Sequence, residues 1–220
     1  MDFIKNKFGL NTFQLKLIAI TSMLIDHIGA ILLPENLVLR CIGRIAFPIF
    51  CFLLTEGFFH TRDIYRYGYR LALFALLSEI PYDLAFRQTI FTLENQNVFF
   101  TLLIGFGLLY VLEKSKERPV QVLEILLAMW LTEILHTDYG FRGILLICIF
   151  YYLRELTLAK IAAGACWNFL FPGRVQYYGV FSMVPIALYN GKKGPGFKYM
   201  FYIFYPLHLL ILHLLQLYWK

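Results

Sequence analysis

The segment from residue 15 to residue 61 combines an apolar composition with side chains that are able to do chemistry. It is apolar enough to cross a membrane twice, yet its ionisable residues include Lys16, Asp26, His27, Arg40, Arg44 and Glu56. An ionisable group within a membrane span is energetically costly, so such groups indicate a functional site. Because imidazole has a reference pKa of about 6.5, His27 is a candidate general base near neutral pH.

The spacing of Lys16 and His27 relates the two ends of the first apolar helix. They are eleven residues apart, which is about three helical turns, so they share one face at a separation of roughly 16 Å. Lys16 is expected near one membrane surface and His27 near the midplane. The pair therefore matches the reach of an extended cofactor arm that runs from a surface cation to a buried base.

The composition indicates the kind of fold that must position these residues. Of the 220 residues, 60% are hydrophobic and 15% are charged, against about 25% charged in a typical soluble domain. A membrane-spanning helix needs roughly 20 apolar residues, so the length allows about nine spans. We therefore predict an all-α, polytopic membrane bundle that forms one domain over residues 1–220. The predicted spans are 13–33, 39–59, 67–86, 96–112, 120–136, 141–153, 157–171, 177–190 and 197–219.

The distribution of basic residues predicts how the bundle is oriented. Most lysines and arginines fall in the amino-terminal segment and in every second connection after it. By the positive-inside rule, the amino terminus is then cytoplasmic and the carboxyl terminus lies outside. Topology and contact with anionic lipid thus account for the net charge of +6, and nucleic-acid binding is not expected. The four cysteines have no metal-binding spacing, and no metal is predicted.

With this orientation, polar residues from several spans fall in the outer half of the membrane. They are Asp26, His27, Arg44, Ser78, Glu79, Asp83, Asn97, Thr101, His136 and Asp138. A buried polar site requires such a convergence. The alternative is a set of hydrogen bonds and ion pairs between helices, which membrane bundles also use. For the group as a whole we favour a functional site.

Asp26 and His27 are expected to have different partners. Neighbouring residues on a helix point about 100° apart, so Asp26 is not expected to orient His27. Asp26 is predicted to pair with Arg44, because each of these charges would be costly alone. The carboxylate that orients His27 is expected to be Glu79 or Asp83.

The remaining candidates are assigned to binding an acceptor, meaning the molecule that would lose its proton to His27, and to the shape of the site. Arg40 and Arg44 lie one turn apart and could hold an anionic acceptor or stabilise an oxyanion, although Arg40 is otherwise expected at the headgroup level. Pro48 removes a helical hydrogen bond to the carbonyl of Arg44, so a kink is predicted beside the site, and Pro81 is expected to act likewise in the third span. Further candidates for binding the acceptor are Asn97, Thr101, His136 and Asp138. His208 is a second possible acid or base.

Six motifs carry a resemblance to a known family. LIDHIGA, RCIGRIAFPIFCFLLTEGFFHT and LLSEIPYDL are followed in order by NVFFTLL, TDYGFRG and IFYPLHL, and together they resemble the TraX family of bacterial membrane proteins. That family is similar to the acyltransferase-3 superfamily, whose first helix carries an arginine, ten further residues and then a histidine. Lys16 stands where the arginine would be, His27 is the histidine, and Gly57-Phe58 matches a pair that ends the superfamily's second helix.

The resemblance also implies a reaction. An acetyl group would pass from cytoplasmic acetyl-CoA to an acceptor hydroxyl or amine at the outer side of a bacterial inner membrane, with His27 as the base. Lys16 would hold the CoA phosphates, and Glu56 and His60 would lie at the same entrance. In the best-known member of the family the acceptor is the amino terminus of a conjugative pilin. For this chain, a glycan, a lipid headgroup and a peptide all remain candidate acceptors. The alternatives are a proton-coupled transporter, which uses buried charges equally well, and a membrane scaffold.

Overall fold

The computed structural model describes residues 9–170, 173 and 175–219, with Lys198 described by its backbone alone. The helices are α1 Thr12–Ile31, α2 Leu37–Gly43, α3 Ala46–His60, α4 Ile64–Arg87, α5 Val98–Lys114, α6 Arg118–Ile134, α7 Gly140–Tyr152, α8 Thr157–Leu170, a 3₁₀ helix Gln176–Ser182, α9 Met183–Ala187 and α10 Lys198–Trp219. In these residues β-pairing is limited to two isolated bridges, so the predicted all-α class is confirmed. The prediction of a cytoplasmic amino terminus concerns residues 1–8, which lie outside the part of the chain that the structure describes.

The predicted spans correspond to the observed helical units one by one. The second span comprises α2 and α3, and the eighth comprises the 3₁₀ helix and α9. Among the described helices, three units are long and apolar enough to cross a membrane: Thr12–Ile31, Leu37–His60 and Tyr199–Trp219. One face of α6 exposes Leu123, Leu126, Leu127, Trp130 and Ile134. An exposed apolar face of this size is typical of contact with lipid, as expected for a multi-pass membrane protein.

Helix α1 packs against helices from distant parts of the chain. It begins with a capping box, in which the Asn11 side chain accepts a hydrogen bond from the backbone N–H of Gln14 and the backbone N–H of Asn11 donates one to Oε1 of Gln14. This satisfies two of the donors that a helix leaves free at its start. α1 then packs against α2, α3 and α10, and α10 also packs against α4. Residues on α1 therefore reach side chains from both ends of the sequence.

The predicted kink in the second span is a complete break. α2 ends at Gly43 and α3 begins at Ala46, with Arg44 and Ile45 in a turn between them. Pro48 lies in the first turn of α3, where its missing N–H costs no helical hydrogen bond. α4, in contrast, runs from Ile64 to Arg87 through Pro81 without interruption. The break places Arg44 at a helix end, from which its side chain reaches α1.

Gly43 allows α1 and α2 to approach closely at this break. A Cβ atom added to Gly43 would lie 2.1 Å from the Cβ of Asp26, much too close for two carbon atoms. We expect Gly43→Ala to lower the free energy of unfolding by about 1–3 kcal/mol, the usual cost of overpacking. Thermal melting and the folded yield in detergent would measure the loss.

Gly107 provides the matched control for this substitution. It is exposed in α5, and an added Cβ would meet nothing within 4 Å. Gly107→Ala is expected to be neutral or to stabilise the helix by up to about 1 kcal/mol. Equal effects at positions 43 and 107 would show that the contact between α1 and α2 does not depend on the missing side chain.

Candidate active site

His27 lines a cavity of about 240 Å³ inside the bundle. The cavity is bounded by six helices, α1, α2, α3, α4, the start of α5 and α10, and by two connections, the α2–α3 break and the connection between α6 and α7. Its polar walls include Asp26, Arg44, Asp138 and Tyr139, and its aromatic walls include Tyr82, Phe86 and Tyr205. Six helices and two connections thus contribute to one small polar space beside His27.

Asp26 holds two arginines at once. Arg44 Nη2 lies 2.6 Å from both carboxylate oxygens of Asp26, and Arg40 Nη1 lies 2.8 Å from Asp26 Oδ2. The Asp26 and Arg44 side chains are only 9% and 15% exposed. The predicted pairing of Asp26 with Arg44 is therefore present. Arg40, which is expected at the headgroup level, also turns its guanidinium inward to the shared carboxylate and so belongs to the same cluster.

His27 is held by another histidine and not by a carboxylate. Its Nδ1 lies 2.7 Å from Nε2 of His208 in α10, and His208 Nδ1 lies 2.7 Å from the carbonyl oxygen of Phe204. The expectation that Glu79 or Asp83 orients His27 was wrong. Those carboxylates face away from α1, toward the segment that leads into α5.

Glu79 and Asp83 fasten α4 to the segment before α5. Asp83 Oδ2 accepts a hydrogen bond of 2.7 Å from the backbone N–H of Thr92. Glu79 Oε2 accepts from the side-chain amide of Asn97 and, at 3.4 Å, from its backbone N–H. Asn97 also donates to the carbonyl of Ala75 and caps the first turn of α5. In the structure these three predicted site residues have contacts that set the helix positions.

The connection between α6 and α7 brings Asp138 and Tyr139 to the cavity. The Thr101 hydroxyl donates to the carbonyl of Asp138, which fixes this connection to α5. Burial raises the pKa of the Asp138 carboxyl to about 6, although the positive charge of Arg44 opposes the rise. His136 has a left-handed backbone with φ of 48° and lines the outer cavity described next. Asp138, like the predicted acceptor-binding residues Arg40 and Arg44, therefore lines the same cavity as His27.

A second cavity, of about 460 Å³, adjoins the first at the connection between α6 and α7. We call it the outer cavity, because the predicted orientation would place this end of the bundle outside. The two cavities share Arg44, Asp138 and Tyr139. The Tyr139 ring stacks on Phe47 with centroids 3.5 Å apart, and its hydroxyl accepts a hydrogen bond of 3.2 Å from Arg44 Nη1. Tyr139 therefore separates the larger outer cavity from the space beside His27.

Sequence reasoning missed Tyr139 as a site residue. Its backbone φ is 65°, in the left-handed region that a bulky side chain rarely adopts. Such backbone strain persists where the surroundings impose it, and it is concentrated at functional sites. The only sequence signal was the turn-forming run TDYG, in which Gly140 also has a positive φ of 47°.

Lys16 lies in a group of basic residues toward the other end of α1. Its Nζ lies over the ring of Phe201, 5.2 Å from the centroid, and Lys193 and Arg70 are near enough for their positive charges to repel it. Nε of Arg70 is buried, and among the described residues it has no hydrogen-bond partner. This concentration of positive charge suits an anionic ligand.

Glu56 and His60 make contacts different from those of Lys16. Glu56 Oε1 lies 3.4 Å from Nε of Arg154, and His60 Nδ1 lies 2.8 Å from the carbonyl oxygen of Glu56. Arg154 also lies over the ring of Phe59, 4.1 Å from its centroid. These contacts join the end of α3 to the connection between α7 and α8.

Comparisons with known proteins give one family and two relatives. A family model described as "TraX protein" matches residues 12–216. A protein of Dichelobacter nodosus named "Probable fimbrial assembly protein FimC, serogroup H1" is 29% identical, covering 92% of this chain and 94% of its own. An uncharacterised protein of Rickettsia prowazekii is 25% identical over 80% of this chain and 68% of its own. No solved structure matches the chain.

Proposed function

The chain belongs to the TraX family, and from that premise we propose that it is an integral-membrane acetyltransferase. It would transfer an acetyl group from cytoplasmic acetyl-CoA to a hydroxyl or amine at the outer side of a bacterial inner membrane. The observation that carries the proposal is the placement of His27 in a cavity that six helices and two connections of the bundle enclose. An acyl transfer of this kind needs a base in a small, water-poor space, next to the reacting atoms.

The chemistry assigns a definite task to His27. The acceptor oxygen or nitrogen attacks the carbonyl carbon of the thioester, forming a C–O or C–N bond as the C–S bond breaks. His27 takes the proton of the acceptor and gives it to the departing thiolate. Arg44 lies on the wall of the same cavity, where its charge would favour the negative oxygen that develops on the carbonyl. Asp26 would hold Arg44 in this position.

The donor is proposed to bind from the end of α1 that carries Lys16. The positive charges of Lys193 and Arg70 both act on Lys16 there, and the buried Nε of Arg70, which has no partner among the described residues, is a donor that a phosphate oxygen would satisfy. Acetyl-CoA is a substrate in this scheme, and no metal is required. Likeness to the acyltransferase-3 superfamily remains an expectation from the sequence.

The acceptor is proposed to reach His27 through the outer cavity. Arg44, Asp138 and Tyr139 belong to both cavities, and His136 lines the outer one. A group that enters past Tyr139 would come directly to His27. Glycans, lipid headgroups and peptides fit this outline. The fimbrial name of the Dichelobacter nodosus relative makes the amino terminus of a fimbrial subunit the first acceptor to test.

Membrane vesicles of opposite orientation test the function and the orientation together. Acetyl-CoA carrying a labelled acetyl group is a charged molecule that does not cross a bilayer. Inverted vesicles expose the cytoplasmic face, so they should bind the donor and pass its label to an acceptor. Sealed right-side-out vesicles should do so only after permeabilisation. Binding in right-side-out vesicles alone would reverse the orientation.

A proton-coupled transporter is the second candidate, favoured by the buried cluster of Asp26, Arg40 and Arg44. Buried ionisable groups of this kind also form proton pathways in membrane transporters. A transporter would bind no acyl-CoA in either kind of vesicle. That result would place the transporter first.

A further inference from the structure

His208 has a hydrogen bond that fixes where its own proton lies. The side chain is in the interior of the bundle, 4% exposed, and its Nδ1 lies 2.7 Å from the carbonyl oxygen of Phe204. A carbonyl oxygen can only accept a hydrogen bond. The Nδ1 atom of His208 therefore carries the hydrogen and donates it to Phe204.

The proton on His208 in turn decides the tautomer of His27. A neutral imidazole has one N–H, so the Nε2 atom of His208 is left with a lone pair. His27 Nδ1 lies 2.7 Å from that atom and must be the donor. The two rings are nearly parallel, with an interplanar angle of 7°, and their centroids lie 5.0 Å apart. Because the two bonded nitrogens are only 2.7 Å apart, the centroids can be this far apart only when the rings lie end to end in nearly one plane. The Nδ1–H of His27 thus points at the acceptor within the ring plane.

A cationic His208 would reverse this assignment, but the surroundings disfavour it. Arg40 and Arg44 already place two positive charges on the walls of the cavity beside His27, where the carboxyl groups are those of Asp26 and Asp138. A third cation beside them would be a buried charge with no carboxylate of its own. The neutral pair is therefore the consistent state.

We infer that His208 is a positioning residue that holds His27 in the tautomer with a free lone pair on Nε2. Its effect on catalysis rests on the proposed acetyltransferase function, whereas the tautomer itself does not. Nε2 is then the atom of His27 that takes the proton of the acceptor. Once protonated, the imidazolium of His27 donates to the neutral His208, and such a charge-assisted bond is stronger than a neutral one. His208 would in this way favour the transition state.

Nitrogen-15 NMR of ring-labelled histidines tests the tautomer without any need for activity. The His27 signals are identified by their loss in His27→Asn. We expect Nδ1 of His27 to be protonated and Nε2 to be unprotonated. His208→Leu should abolish this preference, whereas His213→Leu, five residues further along the same helix, should leave it intact. Protonation of His27 on Nε2 in the wild-type protein would overturn the inference.

Kinetics of two substitutions separate positioning from packing. His208→Leu keeps much of the volume but has no acceptor, and we expect kcat to fall about 10–100-fold, by analogy with the loss when the partner that orients a metal-binding histidine is removed. The KM for the donor should not change. His208→Gln supplies an amide oxygen as acceptor and should recover part of the rate. A leucine variant that transfers acetyl groups at the wild-type rate would refute the role.

The two readouts also distinguish this inference from the proposed function. If the NMR result is as expected but the wild-type protein transfers no acetyl group, His208 positions His27 for other chemistry. If the protein transfers acetyl groups but the NMR result is the reverse, the acetyltransferase function stands and His208 has no positioning role.

Discussion

His27→Ala is expected to abolish acetyl transfer while leaving donor binding almost intact. Removing a general base typically costs about 10²–10⁴-fold in rate. The proposed donor site lies around Lys16, about three turns away along α1, so the affinity for acetyl-CoA should change little. Calorimetry in detergent would measure the affinity, and transfer from labelled acetyl-CoA would measure the rate.

Lys16→Ala is the counterpart at the other end of the helix, and it should have the opposite effect. A contact made equally in the ground state and the transition state affects KM and hardly affects kcat. The variant should bind acetyl-CoA weakly and reach nearly the normal rate at high donor concentration. Together the two variants assign binding and chemistry to separate ends of α1.

His213→Ala is the control for both substitutions. This histidine is also partly buried, on α10, and has no assigned role. Its replacement should leave affinity and rate close to those of the wild type. An active His27→Ala protein would remove the base assignment, and a wild-type protein that binds no acyl-CoA would remove the donor as well.

Asp26→Ala is expected to be the most destabilising change within the charged cluster. It would leave Arg40 and Arg44 side by side with no carboxylate between them. Breaking a buried ion pair by removing one partner costs about 3–5 kcal/mol. Arg44→Ala should cost less than Asp26→Ala, because Arg40 still pairs with the carboxylate. Thermal melting and folded yield in detergent would rank the variants.

The double variant Asp26→Ala/Arg44→Ala tests whether these residues act as one unit. It removes one charge of each sign and leaves only Arg40, so it should be more stable than Asp26→Ala alone. A loss equal to the sum of the two single losses would show that they are not coupled. Arg66→Ala breaks an exposed pair with Asp63 and should have little effect, as surface ion pairs contribute little.

The all-α membrane class and the pairing of Asp26 with Arg44 followed from the sequence alone. Both rest on one-dimensional properties. Apolar runs of membrane length are read directly along the chain, and two opposite charges at the same depth in neighbouring spans are each costly without the other. The break at Arg44 was foreshadowed by Pro48, since proline cannot donate to the carbonyl four residues before it.

The partner of His27 was decided only by the tertiary structure. His208 lies 181 residues further along the chain, and it meets His27 because α10 packs against both α1 and α4. The depth in the membrane that is expected from the sequence placed Glu79 and Asp83 near His27. Depth does not show toward which neighbour a side chain on the helix points. The rotation of α4 turns both carboxylates toward residues 92–97. Likewise, the left-handed backbone of Tyr139 is imposed by Phe47, Arg44 and the loop's attachment to α5, contacts that no periodicity in the sequence encodes.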